Sequence, residues 1–226
     1  MDTTQKILDA FMADSEIYPL IHRFYEEKQI PVRRTEAEIC ISDAADHGYQ
    51  IIYLLHGTVR AVCLSPRGRR ILLDEIGAGE FTGHISRLRG YSFNSSLIAR
   101  TDCVYLSFPD KVFLELMKDP DFALQFYQST STRTYYMFQK FLSLTLFSTE
   151  ENTAMYFLVH EKCLQQSTLD TISEEVGISR RSLYYILKKW QKEGILTKKG
   201  PCYLLADKDA LLSLTEHIRL FYHEPF

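Results

Sequence analysis

Apolar positions change their spacing twice along the chain, and each change marks a new kind of structure. Over residues 3–29 the spacing is helical. Ile7, Leu8 and Phe11 share one face of a first short amphipathic stretch, and Tyr18, Ile21, His22 and Tyr25 share one face of a second. From about 38 to 108, short runs rich in β-branched and aromatic residues alternate with turns. The runs are Glu38–Ile41, Ile51–His56, Thr58–Leu64, Arg70–Ile76 and Cys103–Phe108. Gly57 separates two of them, Ser65-Pro66-Arg67-Gly68 reads as a hairpin turn, and Gly77 and Gly79 mark the next corner. Short strands so closely spaced predict an antiparallel roll or barrel.

At Pro109 the helical period returns. Asp110–Lys118 reads as a short helix and Asp121 to about Phe147 as a long one. Phe122, Phe126, Tyr136, Phe141 and Leu144 give the long helix an apolar stripe that suits the roll, a second copy of itself, or both. Ser148-Thr149-Glu150-Glu151 carries a helix-capping signal and is taken as a domain boundary. Helices are expected at about 150–165, 168–176 and 179–193. A β-wing follows, Ile195–Lys198 and Cys202–Leu205 joined by Lys199-Gly200-Pro201, and the tail from Lys208 to about Tyr222 reads as helical. The expected fold class is α+β. An N-terminal antiparallel β-roll occupies 1–120, a long dimerisation helix 121–148, and a winged helix-turn-helix 149–226.

The sharpest local pattern is Thr168–Leu196. Leu169, Ile172 and Val176 make the apolar face of a short helix, and Gly177 sits where the chain must turn with positive φ. Ile178 plugs the turn, Ser179 caps the next helix, and Leu183, Ile186, Leu187 and Trp190 bury its inner face. The outer face carries Arg180, Arg181, Ser182, Tyr184, Tyr185, Lys188, Lys189 and Lys192, residue types that reach phosphates and base edges from a major-groove helix. The candidate DNA-contacting residues are Thr168, Ser179, Arg180, Arg181, Ser182, Tyr184, Tyr185, Lys188 and Lys189, with Lys198 and Lys199 from the wing.

Bulk charge hides this feature. The 226 residues carry a formal net charge of -3, which gives no support to nucleic-acid binding. Between residues 180 and 199, however, seven Lys or Arg stand against the single acid Glu193. The five cysteines (40, 63, 103, 163 and 202) form no CxxC pair, so neither a zinc site nor a disulfide framework is expected. The seven histidines contain no His-x-His pair of the cupin metalloenzymes, and no nucleophile or phosphate-loop motif is present, so no enzymatic activity is expected. No stretch reaches the ~18 apolar residues of a membrane span, and residues 1–14 lack a signal-peptide core. A cytoplasmic protein is expected.

Thr168–Leu196 resembles, without gaps, the helix-turn-helix of the bacterial Crp/Fnr family of transcription regulators. Gly57–Phe113 resembles that family's cyclic-nucleotide-binding-type roll, through the Gly57 turn, Gly68, the corner Gly79-Glu80-Phe81-Thr82-Gly83, and Ala99–Phe113. The resemblance implies a homodimer on a palindromic double-stranded operator, with RNA polymerase as a further partner if the protein activates. It places Arg180 on the family's base- and phosphate-contacting arginine. Position 181, usually acidic in close relatives of the cyclic-AMP receptor, is Arg181, and the family's next arginine is replaced by Tyr185. A different half-site follows.

The resemblance also marks an effector pocket at Gly83, His84, Ile85, Phe93, Asn94 and Ser95, faced by Tyr136, Met137 and Phe138. His84 replaces the glutamate that holds the ribose, and Phe93 and Asn94 stand where an Arg-Ser pair holds the cyclic phosphate. Cyclic AMP is therefore not expected to bind in the usual way, because a buried phosphate without a cation is costly. No cofactor is expected. Three readings of the pocket stay open: a small apolar effector, a filled core without ligand, and haem with His84 as an axial ligand. Two readings compete with a DNA regulator: a protein-interaction module with a basic helix, and a cupin-like metalloenzyme.

Overall fold

The computed structural model describes residues 3–43, 50–65, 70–89, 95–161, 168–200 and 202–222. Pro66–Gly68 of the expected hairpin turn, the pocket positions Phe93 and Asn94, Cys163, and Pro201 of the wing turn lie outside the described residues. The chain divides into two compact units, 1–137 and 138–226.

The first unit opens with α1 (Thr3–Asp14) and α2 (Tyr18–Glu26). The strands are β1 (Val32–Thr35), β2 (Cys40–Ser42), β3 (Ile51–His56), β4 (Val59–Leu64), β5 (Arg70–Ile76), β6 (Phe81–Thr82), β7 (Ser95–Ala99) and β8 (Cys103–Phe108). Helix α3 (His84–Arg89) lies between β6 and β7, and α4 (Asp110–Leu116) and α5 (Pro120–Leu146) follow β8. All pairings are antiparallel, in two four-stranded sheets ordered β1-β8-β3-β6 and β2-β7-β4-β5. This is the expected roll.

Strands β3, β5 and β8 coincide with the runs read from the sequence. Strands β1, β6 and β7 and helix α3 carry no such signal. Strand β1 exposes Arg33 and Arg34 at a sheet edge, β6 is two residues long, and β7 opens with two serines yet sits inside its sheet. Tertiary pairing overrides local propensity there. In α2 the buried positions are Ile21 and Phe24, while His22 is exposed. The buried face is thus rotated from the one inferred.

An aromatic cluster forms the centre of this unit. The Phe81 ring lies 4.7 Å from Tyr53, 5.7 Å from Phe108, 6.0 Å from Phe122 and 5.1 Å from Phe126, the last two edge to face. Phe122 and Phe126, one turn apart on α5, therefore dock that helix on the roll. Tyr136, Phe141 and Leu144 of the expected stripe are exposed.

The second unit contains the end of α5, then α6 (Thr149–Val159), α7 (Leu169–Val176), α8 (Arg180–Lys192), strands β9 (Leu196–Lys199) and β10 (Cys202–Leu205), and α9 (Lys208–Leu214) and α10 (Glu216–Tyr222). Its core centres on the fully buried Trp190, which meets Phe157 edge to face at 5.7 Å. Ser148 forms the capping box read from the sequence: its hydroxyl accepts from the Glu151 amide, and Glu151 accepts from the Ser148 amide. The Asn152 amide donates to the carbonyls of Ser143, Phe147 and Ser148 at 3.0–3.2 Å, so one side chain ties off the end of α5. The single tail helix expected from the sequence breaks at Thr215, whose hydroxyl bonds back to Leu211 and Leu212.

Gly83 joins β6 to α3 with φ of +80, and a Cβ there would lie 1.9 Å from the Gln50 carbonyl oxygen. Strain and backbone clash act together, so Gly83→Ala should destabilise the protein by at least about 1–3 kcal/mol. Urea denaturation of the two proteins checks this.

Candidate functional site

The helix-turn-helix is built from local signals. The Thr168 hydroxyl accepts from the Thr171 amide at 3.1 Å and starts α7. Gly177 ends α7 in the left-handed region, with φ of +73, and the buried Ile178 fills the turn. Ser179 accepts from the Ser182 amide at 3.0 Å and starts α8. Leu183, Leu187 and Trp190 are buried beneath α8. That inner anchoring leaves Arg180, Arg181, Ser182, Tyr184, Tyr185, Lys188, Lys189 and Lys192 exposed on one continuous face.

Hydrogen bonds divide these cations into unequal groups. Arg180 meets Asp170 of α7 at 3.2 Å, with both side chains 65% exposed, so the pair is weak and exchangeable. Lys189 is held more firmly, its Nζ donating to both carboxylate oxygens of Glu150 at 2.8 and 2.9 Å. Glu150 also accepts from the Trp190 indole N–H at 2.8 Å. The Glu150 carboxylate raises the Lys189 pKa above its ordinary value. Arg181 lies over the Tyr185 ring at 5.7 Å and Lys188 over Tyr184 at 5.5 Å. In the wing, β9 and β10 pair antiparallel, with Lys198 opposite Tyr203, and Lys198 and Lys199 are exposed. Glu150 is a functional neighbour that sequence reasoning missed. It was legible only as a helix-capping acid, because its partners are 39 and 40 residues away.

A cavity of about 70 Å³ lies beside α3 in the first unit. Of the expected pocket positions it is lined by Gly83, His84, Ile85, Ser95 and Met137. Tyr136 and Phe138 do not line it. They are 65% and 57% exposed, because Phe122 and Phe126 set a helix phase that brings Arg133 and Met137 round instead. Arg133 and Asp74 were missed. Arg133 donates from Nε to Asp74 Oδ2 at 3.0 Å, and also through its terminal nitrogens to that oxygen and to the Phe81 carbonyl. The two side chains are only 12% and 15% exposed. An arginine in phase with Phe122 and Phe126 was the available signal.

His84 packs edge to face on Phe126 at 5.2 Å, and its buried Nδ1 has no hydrogen-bond partner. Burial, helped by the neighbouring Arg133 charge, lowers its pKa to about 4, so the imidazole is neutral near pH 7. A cyclic phosphate does not fit these residues. Among the described lining residues Arg133 is the cation, and Asp74 and a carbonyl already engage it. The volume is also below the ~300 Å³ at which small-molecule pockets begin.

Residues 32–119 match the family model of the cyclic nucleotide-binding domain, a span that runs from β1 to just beyond α4. A search of curated protein sequences finds no match to the chain. Solved structures do match. A Crp/Fnr-family regulator from Eubacterium rectale is 18% identical, with TM-score 0.71, over 90% of this chain and 95% of its own. The c-di-GMP-responsive global regulator CLP of Xanthomonas campestris is 19% identical, with TM-score 0.68, over 84% and 99%. A CRP-family regulator from Thermus thermophilus is 19% identical, with TM-score 0.65, over 81% and 96%. Residues 32–119 are thus similar to the cyclic nucleotide-binding domain. The chain as a whole has the fold of the Crp/Fnr transcription regulators, as the sequence resemblance implied.

The lowered His84 pKa has a definite sign for stability. Unfolded, the imidazole takes up a proton near pH 6.5, and folded only near pH 4. The unfolded state therefore binds more protons in that window, and the contribution present above pH 6.5 is lost as the pH falls towards 4. His84→Gln should flatten the fall in melting temperature over that window, as thermal unfolding at stepped pH would show.

Proposed function

We infer that this chain is a sequence-specific DNA-binding transcription regulator and not an enzyme. The observation that carries the reading is α8, which is capped, anchored through Trp190, and presents Arg180, Arg181, Tyr184, Tyr185 and Lys188 on one exposed face. The Asp170 carboxylate that holds Arg180 is exposed, so a base edge or phosphate can take its place. Lys198 and Lys199 of the wing add phosphate contacts, and Thr168 and Ser179 present the two helix N-termini to the backbone. Lys189 contributes less than its neighbours, because Glu150 already neutralises it.

The regulator acts as a homodimer in the cytoplasm on an inverted repeat, with reading helices about 34 Å apart. The outward face of α5 supports pairing. Leu124, Tyr127, Tyr135, Phe138 and Phe141 are all more than half exposed. With Ser131 they recur at steps of three and four, the spacing of a helix-helix seam. RNA polymerase is the further partner if the protein activates. The effector is something other than cyclic AMP, or there is none. The small cavity beside α3 is mostly apolar and its charges satisfy each other, so a filled core, or an apolar molecule of only a few atoms, suits it better than a nucleotide or haem.

Selection of random duplexes on the pure protein should enrich a palindrome. Recovery of no preferred sequence would favour the protein-interaction reading. On the selected site, Arg180→Ala should weaken binding by roughly 1–3 kcal/mol. The two adjacent lysines should also separate. Lys188→Ala should lower the salt slope of log K by about one charge's worth, ~0.9, whereas Lys189→Ala should leave it nearly unchanged. Binding curves at several salt concentrations measure both.

A further inference from the structure

A larger cavity, of about 620 Å³, opens in the first unit between the end of α1, strand β3 and the early part of α5. That volume is in the range of small-molecule sites. Phe11 and Tyr53 line it, with ring centroids 6.0 Å apart, and so do Gln125 and Gln128 of α5. Among the described lining residues the carboxylates are Asp14 and Glu16, His56 and Tyr53 are the other titratable groups, and there is no Lys or Arg. Neither carboxylate forms an ion pair among the described residues, in contrast to Asp74, which Arg133 holds. Asp14 is moreover the last residue of α1, a twelve-residue helix with no basic residue in its final turn. The carbonyls at a helix C-terminus already carry partial negative charge, so an acid there raises the local energy until a cation arrives.

We propose that this cavity binds an organic cation, its ammonium group meeting Asp14 and Glu16 and its flat apolar body packing on Phe11 and Tyr53. Aromatic faces favour cations as well as apolar surface, so both parts of such a ligand are matched. The bound molecule also touches Gln125 and Gln128, which places it against the long helix. The proposal does not rest on the DNA-binding reading.

The test is calorimetric titration of the full chain with tryptamine, set against indole-3-acetate, which carries the same ring and the opposite charge. Tryptamine should bind saturably and the acid should not. Added salt should weaken tryptamine, and Asp14→Asn with Glu16→Gln should weaken it by about tenfold or more, a change of 1.4 kcal/mol. Both carboxylates are exposed, so the variants should fold, and their melting curves check that. Each single substitution and the salt titration keep the test decisive if the double variant melts early. Equal binding of the acid, no saturable binding of tryptamine, or unchanged affinity in the folded variants would overturn the proposal.

Discussion

The contact of Phe81 with Phe122 and Phe126 sets the geometry on which the first unit depends. Phe81 is one of only two residues in β6, and the strand is pinned by its ring, which is buried among Tyr53, Phe108, Phe113, Phe122 and Phe126. Removing a ring from such a cluster costs about 3–5 kcal/mol. The same contact fixes the rotation of α5. Two turns beyond Phe126 the helix brings Arg133 onto the cavity, and one turn further Met137 follows. Leu124, Tyr127 and Tyr135 are then exposed on the side away from the roll. The roll contact and that exposed face are therefore consequences of one packing choice.

Arg133 and Asp74 add a polar constraint to that apolar one. Two ions so little exposed must satisfy each other, because leaving either one buried and alone costs several kcal/mol. A ligand anion that took Arg133 would strand Asp74, and a ligand cation that took Asp74 would strand Arg133. With His84 neutral beside them, the described lining residues leave no uncompensated charge for a guest. Its chemistry is set by ions that cancel, whereas the cavity bordered by Asp14 and Glu16 keeps its charge uncancelled. The two hollows of one unit thus differ in charge.

Local signals in the sequence were sufficient wherever the cause is local. The runs that became β3, β5 and β8, the caps at Ser148, Thr168 and Ser179, and the positive φ at Gly177 are each decided within a few residues. Strand β7 was not legible, because its serines join a sheet only through pairing with β2 and β4. Tyr136 and Phe138 were placed towards the pocket because aromatic character alone does not fix helical phase. Only the docking of Phe122 and Phe126 does that.

Ion pairs were the least legible of all, and they change the functional reading. Asp74 and Arg133 are 59 residues apart, and Glu150 and Lys189 are 39 apart. No spacing rule within one helix or strand relates partners at that distance. Counting charges along residues 180–199 therefore overstates what the helix-turn-helix can offer DNA. Glu150 pairs with Lys189 while fixing the indole of Trp190, so one acid both compensates a cation of the exposed face and orients the helix. Asp170 restrains Arg180 through an exposed contact that a competing partner can replace at small cost. The proposed reading face is then a set of cations ranked by how easily each is released, with Arg180 and Lys188 ahead of Lys189. That ranking belongs to the fold, because it is set by which acids the packing of Trp190 and the turn at Gly177 bring within reach.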